Sequence, residues 1–134
     1  MDCRLGFIKT VRRKKKNLSV TCLDENKNML SICKNRLIDN GFVKDINFIK
    51  SSIEDISLDS NSIDIATIAF GFRNFTDHKK ALENIYDALK PGGKLIILTP
   101  DWHTNWKNFF EDFTHSRPFD VMALSDLLNI YGLN

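Results

Sequence analysis

No apolar run in this chain approaches the ~20 residues that a membrane-spanning helix needs, and no secretory signal opens it. Membrane-spanning and secreted classes are therefore not expected, and the expected location is cytoplasmic. Cysteine is scarce. Cys3, Cys22 and Cys33 are odd in number and lack metal-ligand spacing. They read as reduced thiols, at least two of them packed inside, and no metal site is suggested. A Gly-x-Gly-x-x-Gly fingerprint is missing, which argues against a short dehydrogenase. No internal repeat, low-complexity tract or linker divides the 134 residues, and a single domain over 1–134 is expected.

What is present is ordinary in bulk and uneven in placement. Hydrophobic residues make up 43% and charged residues 27%, as in a soluble globular protein. The net charge of +2 divides into +6 over residues 1–16 and −4 over the remainder. The basic residues are Arg4, Lys9, Arg12, Arg13, Lys14, Lys15 and Lys16. Such a cluster can mark nucleic-acid contact. It equally suits the solvated end of a helix, where cations complement the dipole. The absence of interleaved aromatic residues for base stacking favours the helix end, so nucleic acid is not the expected partner.

Apolar periodicity then orders the chain. Phe7, Ile8 and Val11 predict a short helix ending near Asn17, and Leu18 to Leu23 a strand ending at Asp24. Met29, Leu30, Ile32, Cys33, Leu37 and Ile38 predict a helix over 27–40, with Gly41 as its stop. Ile46 to Ile49 is a second short strand. A polar loop over 51–62 follows, with a single turn expected around Ile56 and Leu58. Ile63 to Phe70 is apolar enough to predict a strand buried on both faces. Asp77 can cap a helix over 78–89 whose buried stripe is Ala81, Leu82, Ile85 and Leu89. After the turn Pro91-Gly92-Gly93, Lys94 to Thr99 is the last clear strand. An aromatic-rich segment from Trp102 to Phe119 precedes a final helix expected over 125–131. Strands alternating with helices imply an α/β fold, a parallel sheet with right-handed crossovers and helices on both faces.

Several residues stand where such a fold binds ligands, at the carboxyl ends of strands. Asp24 closes one strand and is followed by Glu25. A carboxylate there offers two oxygens at the spacing of a sugar diol, or it caps the next helix with no ligand. Arg73 follows the strand 63–70, where it can hold an anionic substrate or pair with Asp77. His115 can act as a general base near neutral pH, or pack against the aromatic segment and bond a carbonyl. His78 and His103 look like surface positions.

The joint Leu89-Lys90-Pro91-Gly92-Gly93-Lys94-Leu95 resembles the class I S-adenosylmethionine-dependent methyltransferases, and Leu23-Asp24-Glu25-Asn26-Lys27-Asn28-Met29-Leu30 is similar to their motif carrying the ribose-binding acid. Gly71-Phe72-Arg73-Asn74 resembles the quinone-biosynthesis C-methyltransferases of that superfamily. Asp101-Trp102 and Thr114-His115-Ser116-Arg117-Pro118-Phe119 resemble a branch acting on other small molecules. The resemblance covers roughly residues 18–132. It implies a Rossmann-like sheet and S-adenosylmethionine as cofactor. The expected activity is methyl transfer to a small-molecule acceptor, with a quinone precursor as one candidate.

Site residues follow from the same resemblance. Asp24 and Glu25 would face the ribose, Ser52 and Ile53 the adenine, and Phe70 the cofactor at the end of its strand. The family usually has an acid at the position of Ser52, so the serine is a departure. Cys3-Arg4-Leu5-Gly6 would be the turn along which Cys3 and Gly6 approach the cofactor, with Arg4 replacing a glycine. Arg73 and Asn74 would face substrate, and His115 is the catalytic candidate. The family's first strand would precede Cys3 and its last strands would follow residue 134, so truncation at both ends is expected. That loss would leave two separate strand pairs with open edges. Association into a homo-oligomer is one expected consequence. The rival expectation is a catalytically inactive remnant that serves as a binding or pairing module.

Overall fold

A computed structural model describes residues 5–14, 17–69, 71–99, 121–130 and 133 of the chain. Contacts divide it into two compact units, Met1–Asp55 and Ile56–Asn134.

The first unit contains α1 (Leu5–Lys14), β1 (Val20–Asp24), α2 (Lys27–Asp39) and β2 (Ile46–Lys50). Local chemistry fixes both ends of α2. The Asn26 side chain accepts hydrogen bonds from the Asn28 and Met29 amides, which lack helical partners. At the other end Gly41 takes the left-handed conformation (φ +79°) that a side chain resists. Its amide donates to the Ile38 carbonyl at 2.9 Å, and the Phe42 amide donates to the Leu37 carbonyl at 2.9 Å. These two bonds form a Schellman motif, and Phe42 and Leu37 supply its apolar contact. Both are buried with Ile8 of α1, and Leu18, Val20, Cys22, Cys33, Ile46 and Phe48 pack around them. Each such side chain removed from water contributes about 1.5–3 kcal/mol.

β1 and β2 pair in parallel, Val20 against Ile46 through Asp24 against Lys50. Cys22 and Cys33 lie on facing elements, their Sγ atoms 3.7 Å apart. Cys22 is free, and burial pushes its thiol pKa up. Cys33 is disulfide-bonded, which corrects the expectation of reduced thiols throughout. Spacing in sequence carries no information on such pairing. The guanidinium of Arg12, in the basic last turn of α1, stands 4.8 Å from the Phe42 ring centroid, a cation–π contact.

The second unit contains β3 (Ile63–Ala69), a 3-10 turn (Phe72–Asn74), α3 (His78–Ala88), β4 (Leu89–Leu98) and α4 (Val121–Ile130). Asp77 caps α3, its Oδ1 accepting the Lys80 amide at 3.1 Å. Ala81, Leu82, Ile85 and Ala88 form the buried stripe. β3 and β4 pair in parallel, Ile65 against Lys94 through Ala69 against Leu98. The Pro-Gly-Gly segment is not a turn outside the strand. It forms an irregularity within β4, because Ile63 already pairs with Leu89 before the register shifts. Gly92 has φ +77°, and a Cβ at Gly93 would stand 2.8 Å from the Lys90 carbonyl oxygen. Both glycines are therefore demanded by the backbone itself.

Three further expectations are corrected. Ile65, Ile96 and Leu98 are each at least 40% exposed, so the sheet of β3 and β4 is open at alternate positions rather than buried on both faces. The loop 51–62 turns twice, at residues 53–55, closed by the Asp55 amide on the Ser52 carbonyl at 3.2 Å, and at 60–61, not once around Ile56 and Leu58. The final helix begins at Val121, four residues before Ser125. Among the described residues the strands form two separate parallel pairs, as expected from the sequence.

Candidate adenosine-binding site

The carboxyl ends of β1 and β2 bring together the acid and the turn that the sequence singled out. Asp24 is the last residue of β1, in register with Lys50, the last residue of β2. The half-buried Ser52 and Ile53 follow two and three residues after Lys50. Asp24 is half-buried, while Glu25 is exposed. The Asn26 amide donates to Asp24 Oδ1 at 2.8 Å, and among the described residues Oδ2 has no hydrogen bond.

The cap of α2 decides between the two roles open to Asp24. Capping is performed by Asn26, whose Oδ1 accepts Asn28 N–H at 2.9 Å and Met29 N–H at 3.4 Å. Asp24 is thereby left as a strand-end carboxylate, held by one oxygen with the other available. The sequence contained this signal, since Asn26 is the residue immediately before the first helical position.

At the end of β2, Ser52 organises a tight turn. Its Oγ accepts Glu54 N–H at 3.2 Å. Its carbonyl accepts Ser51 Oγ–H at 3.1 Å and Asp55 N–H at 3.2 Å. A strand-end carboxylate and a half-buried hydroxyl on the turn that follows the paired strand suit a nucleoside, whose diol donates and whose base edge both donates and accepts.

In the second unit Gly71 precedes the 3-10 turn that carries Arg73 and Asn74. Phe72 is fully buried, with ring centroids 5.5 Å from Phe75 and 4.9 Å from His78. His78 is thus half-buried in an aromatic cluster instead of lying at the surface. Arg73 is half-buried, and its Nε is buried without a hydrogen-bond partner among the described residues. No Arg73–Asp77 ion pair forms there, because Asp77 is committed to the helix cap. Asn74 is exposed.

Comparison with known proteins gives the chain its family. The model of the ubiE/COQ5 methyltransferase family matches residues 1–115. The chain belongs to the ubiE/COQ5 methyltransferase family. The ubiquinone/menaquinone biosynthesis C-methyltransferase UbiE of Rickettsia felis is 35% identical over 121 residues, covering 90% of this chain and 48% of that protein. The enzyme of the same name from Wigglesworthia glossinidia brevipalpis is 42% identical over 79 residues, 59% of this chain and 32% of that one. The chain therefore spans about half or less of the curated relatives it matches. Among solved structures, a SAM-dependent methyltransferase from Aquifex aeolicus superposes with a TM-score of 0.71 at 21% identity, covering 95% of this chain and 66% of that one. The YcgJ protein of Bacillus subtilis gives 0.70 at 20% identity over 84% of this chain and 51% of that one. These neighbours share the Rossmann-like methyltransferase fold. The comparisons lend no support to an inactive remnant.

For this ubiE/COQ5 family member, the remaining sequence-derived site residues are less informative. Gly6 is the second residue of α1, exposed, with nothing within 4 Å of a built Cβ. The protein's own packing does not require glycine there. Cys3, Phe70 and His115 lie outside the described residues. Among the described residues no helix is long and apolar enough to cross a membrane.

Proposed function

We propose that the chain binds S-adenosylmethionine and takes part in C-methylation of a quinone precursor. The supporting observation is the division of labour at the end of β1. Asn26 caps α2, and Asp24, in register with the end of β2, keeps one carboxylate oxygen without a hydrogen bond among the described residues.

When bound, the cofactor supplies a methyl group on a positively charged sulfur, already activated for transfer. The chain's residues bind and orient. Asp24 would accept from the ribose hydroxyls through Oδ2 and the remaining lone pair of Oδ1, with the exposed Glu25 beside it. Ser52 and Ile53 would meet the edge of the base, and the family resemblance alone proposes Cys3, Gly6 and Phe70 as further cofactor contacts. Arg73 and Asn74 would face the acceptor. A phenolic ring carbon is most nucleophilic when its neighbouring oxygen is deprotonated, and a nearby guanidinium favours that oxyanion. His115 is the proposed base for that proton.

Titration calorimetry of the purified chain with S-adenosylhomocysteine tests the reading. Saturable one-to-one binding that Asp24→Asn weakens is expected. Absence of binding at millimolar ligand by a folded chain overturns it.

A further inference from the structure

We propose that Cys22 is the attacking thiol of a built-in thiol–disulfide exchange, in which the disulfide now held by Cys33 passes to a Cys22–Cys33 bond and another thiol is released. The exchange makes no use of the cofactor proposed above and stands apart from that reading.

Two observations meet at one place in the first unit. Cys33, in the middle of α2, is disulfide-bonded, and Cys22, on β1, is a free thiol. Their Sγ atoms are 3.7 Å apart, so the thiol touches a sulfur of the disulfide. Disulfides exchange by attack of a thiolate on one of their sulfurs, and here that nucleophile is already in contact. Both side chains are half-buried and pack on the cluster of Ile8, Leu37 and Phe42, so the core itself holds the two sulfurs together.

The step balances within the chain. Cys22 gives its proton to solvent, and its thiolate attacks Cys33 Sγ. The new S–S bond closes the separation from 3.7 Å to about 2.05 Å. The old bond breaks, and its electron pair leaves with the other sulfur, which takes up a proton. One disulfide and one thiol are present before and after, and no oxidant is consumed. Cys3 is the chain's one other cysteine, so the leaving sulfur is assigned to it. The new bond would tie α2 to β1 two residues before Asp24. Burial pushes the Cys22 thiol pKa up, so thiolate is scarce near neutral pH and the exchange quickens as pH rises.

Non-reducing peptide mapping by mass spectrometry tests the exchange. The full chain is equilibrated with oxidised glutathione, freed of it, incubated between about pH 7 and 9, then quenched and alkylated in acid. A linked Cys22–Cys33 peptide pair is expected to appear as alkylated Cys22 falls and alkylated Cys3 rises. Its rate should grow about tenfold per pH unit and be independent of protein concentration. Cys22→Ser should keep the starting pairing at every pH, with an unchanged circular dichroism spectrum as the folding control. Cys3→Ser, which lacks the leaving sulfur, should form the Cys22–Cys33 bond during the glutathione step. Absence of that bond from the wild type at every pH overturns the proposal, as does its absence from folded Cys3→Ser. A wild-type rate that climbs with protein concentration also overturns it, because the attack would then come from another molecule.

Discussion

Replacing Asp24 by asparagine changes one oxygen and little else. Asparagine retains a carbonyl-type Oδ1, so the 2.8 Å bond from Asn26 N–H can persist. The atom that changes is Oδ2, which becomes an amide –NH2 that donates, and the site loses both its charge and that atom's capacity to accept. A hydrogen bond to a charged group is worth about 1.5–3 kcal/mol, so S-adenosylhomocysteine should bind about 10- to 150-fold more weakly. Stability should move by no more than about 0.5 kcal/mol, because Asp24 makes no ion pair among the described residues and the exchange keeps the shape of the side chain. Asn26→Ala is the mirror experiment. It removes the cap of α2, costs about 1 kcal/mol in urea denaturation and leaves ligand affinity within about twofold. Calorimetry and denaturation on the two variants separate the roles. Equal affinity of Asp24→Asn and wild type would refute the assignment, and so would a loss of affinity in Asn26→Ala that matches its loss of stability.

Four further outcomes follow from the packing. Leu82→Ala, at a fully buried position of α3, should cost about 2–5 kcal/mol in urea denaturation. Gly93→Ala should cost about 1–3 kcal/mol by the same assay, because the new Cβ meets the Lys90 carbonyl at 2.8 Å and backbone cannot yield cheaply. Gly6→Ala should raise stability by about 0.4–1 kcal/mol, since open space surrounds it, while weakening S-adenosylhomocysteine binding if a ligand approaches there. The raised thiol pKa of Cys22 stabilises the fold fully below the ordinary value of 9.0. That contribution should fade as pH climbs through the higher folded value, and denaturation of wild type and Cys22→Ala between pH 8 and 11 checks the sign.

Element order was legible because periodicity and end signals agreed. Gly41 marked the end of α2 and Asp77 the start of α3, and each acts as its chemistry dictates. The strand ends were legible too, which is why Asp24 stood out. What was hidden depends on partners distant in sequence. Ile63 to Phe70 reads as doubly buried, yet exposure is set by what covers the sheet, and composition does not record that. The Pro-Gly-Gly run reads as a turn, while its place inside β4 follows from Ile63 pairing with Leu89. His78 looked like a surface residue because its ring partners Phe72 and Phe75 precede the helix and turn back onto it. The cap at Asn26 could have been read from sequence, but two neighbouring residues, Asp24 and Asn26, are both suited to the role.

The irregularity in β4 also governs how this part of the chain tolerates change in length. Between the pair Ile63–Leu89 and the pair Ile65–Lys94, one strand advances two residues while the other advances five. The surplus is stored in a loop of backbone that makes no regular ladder. An insertion or deletion beside Pro91 would therefore resize that loop and leave the parity of Lys94 to Leu98 intact. Slippage that would invert every side chain of an uninterrupted ladder is confined here to a few residues at its foot.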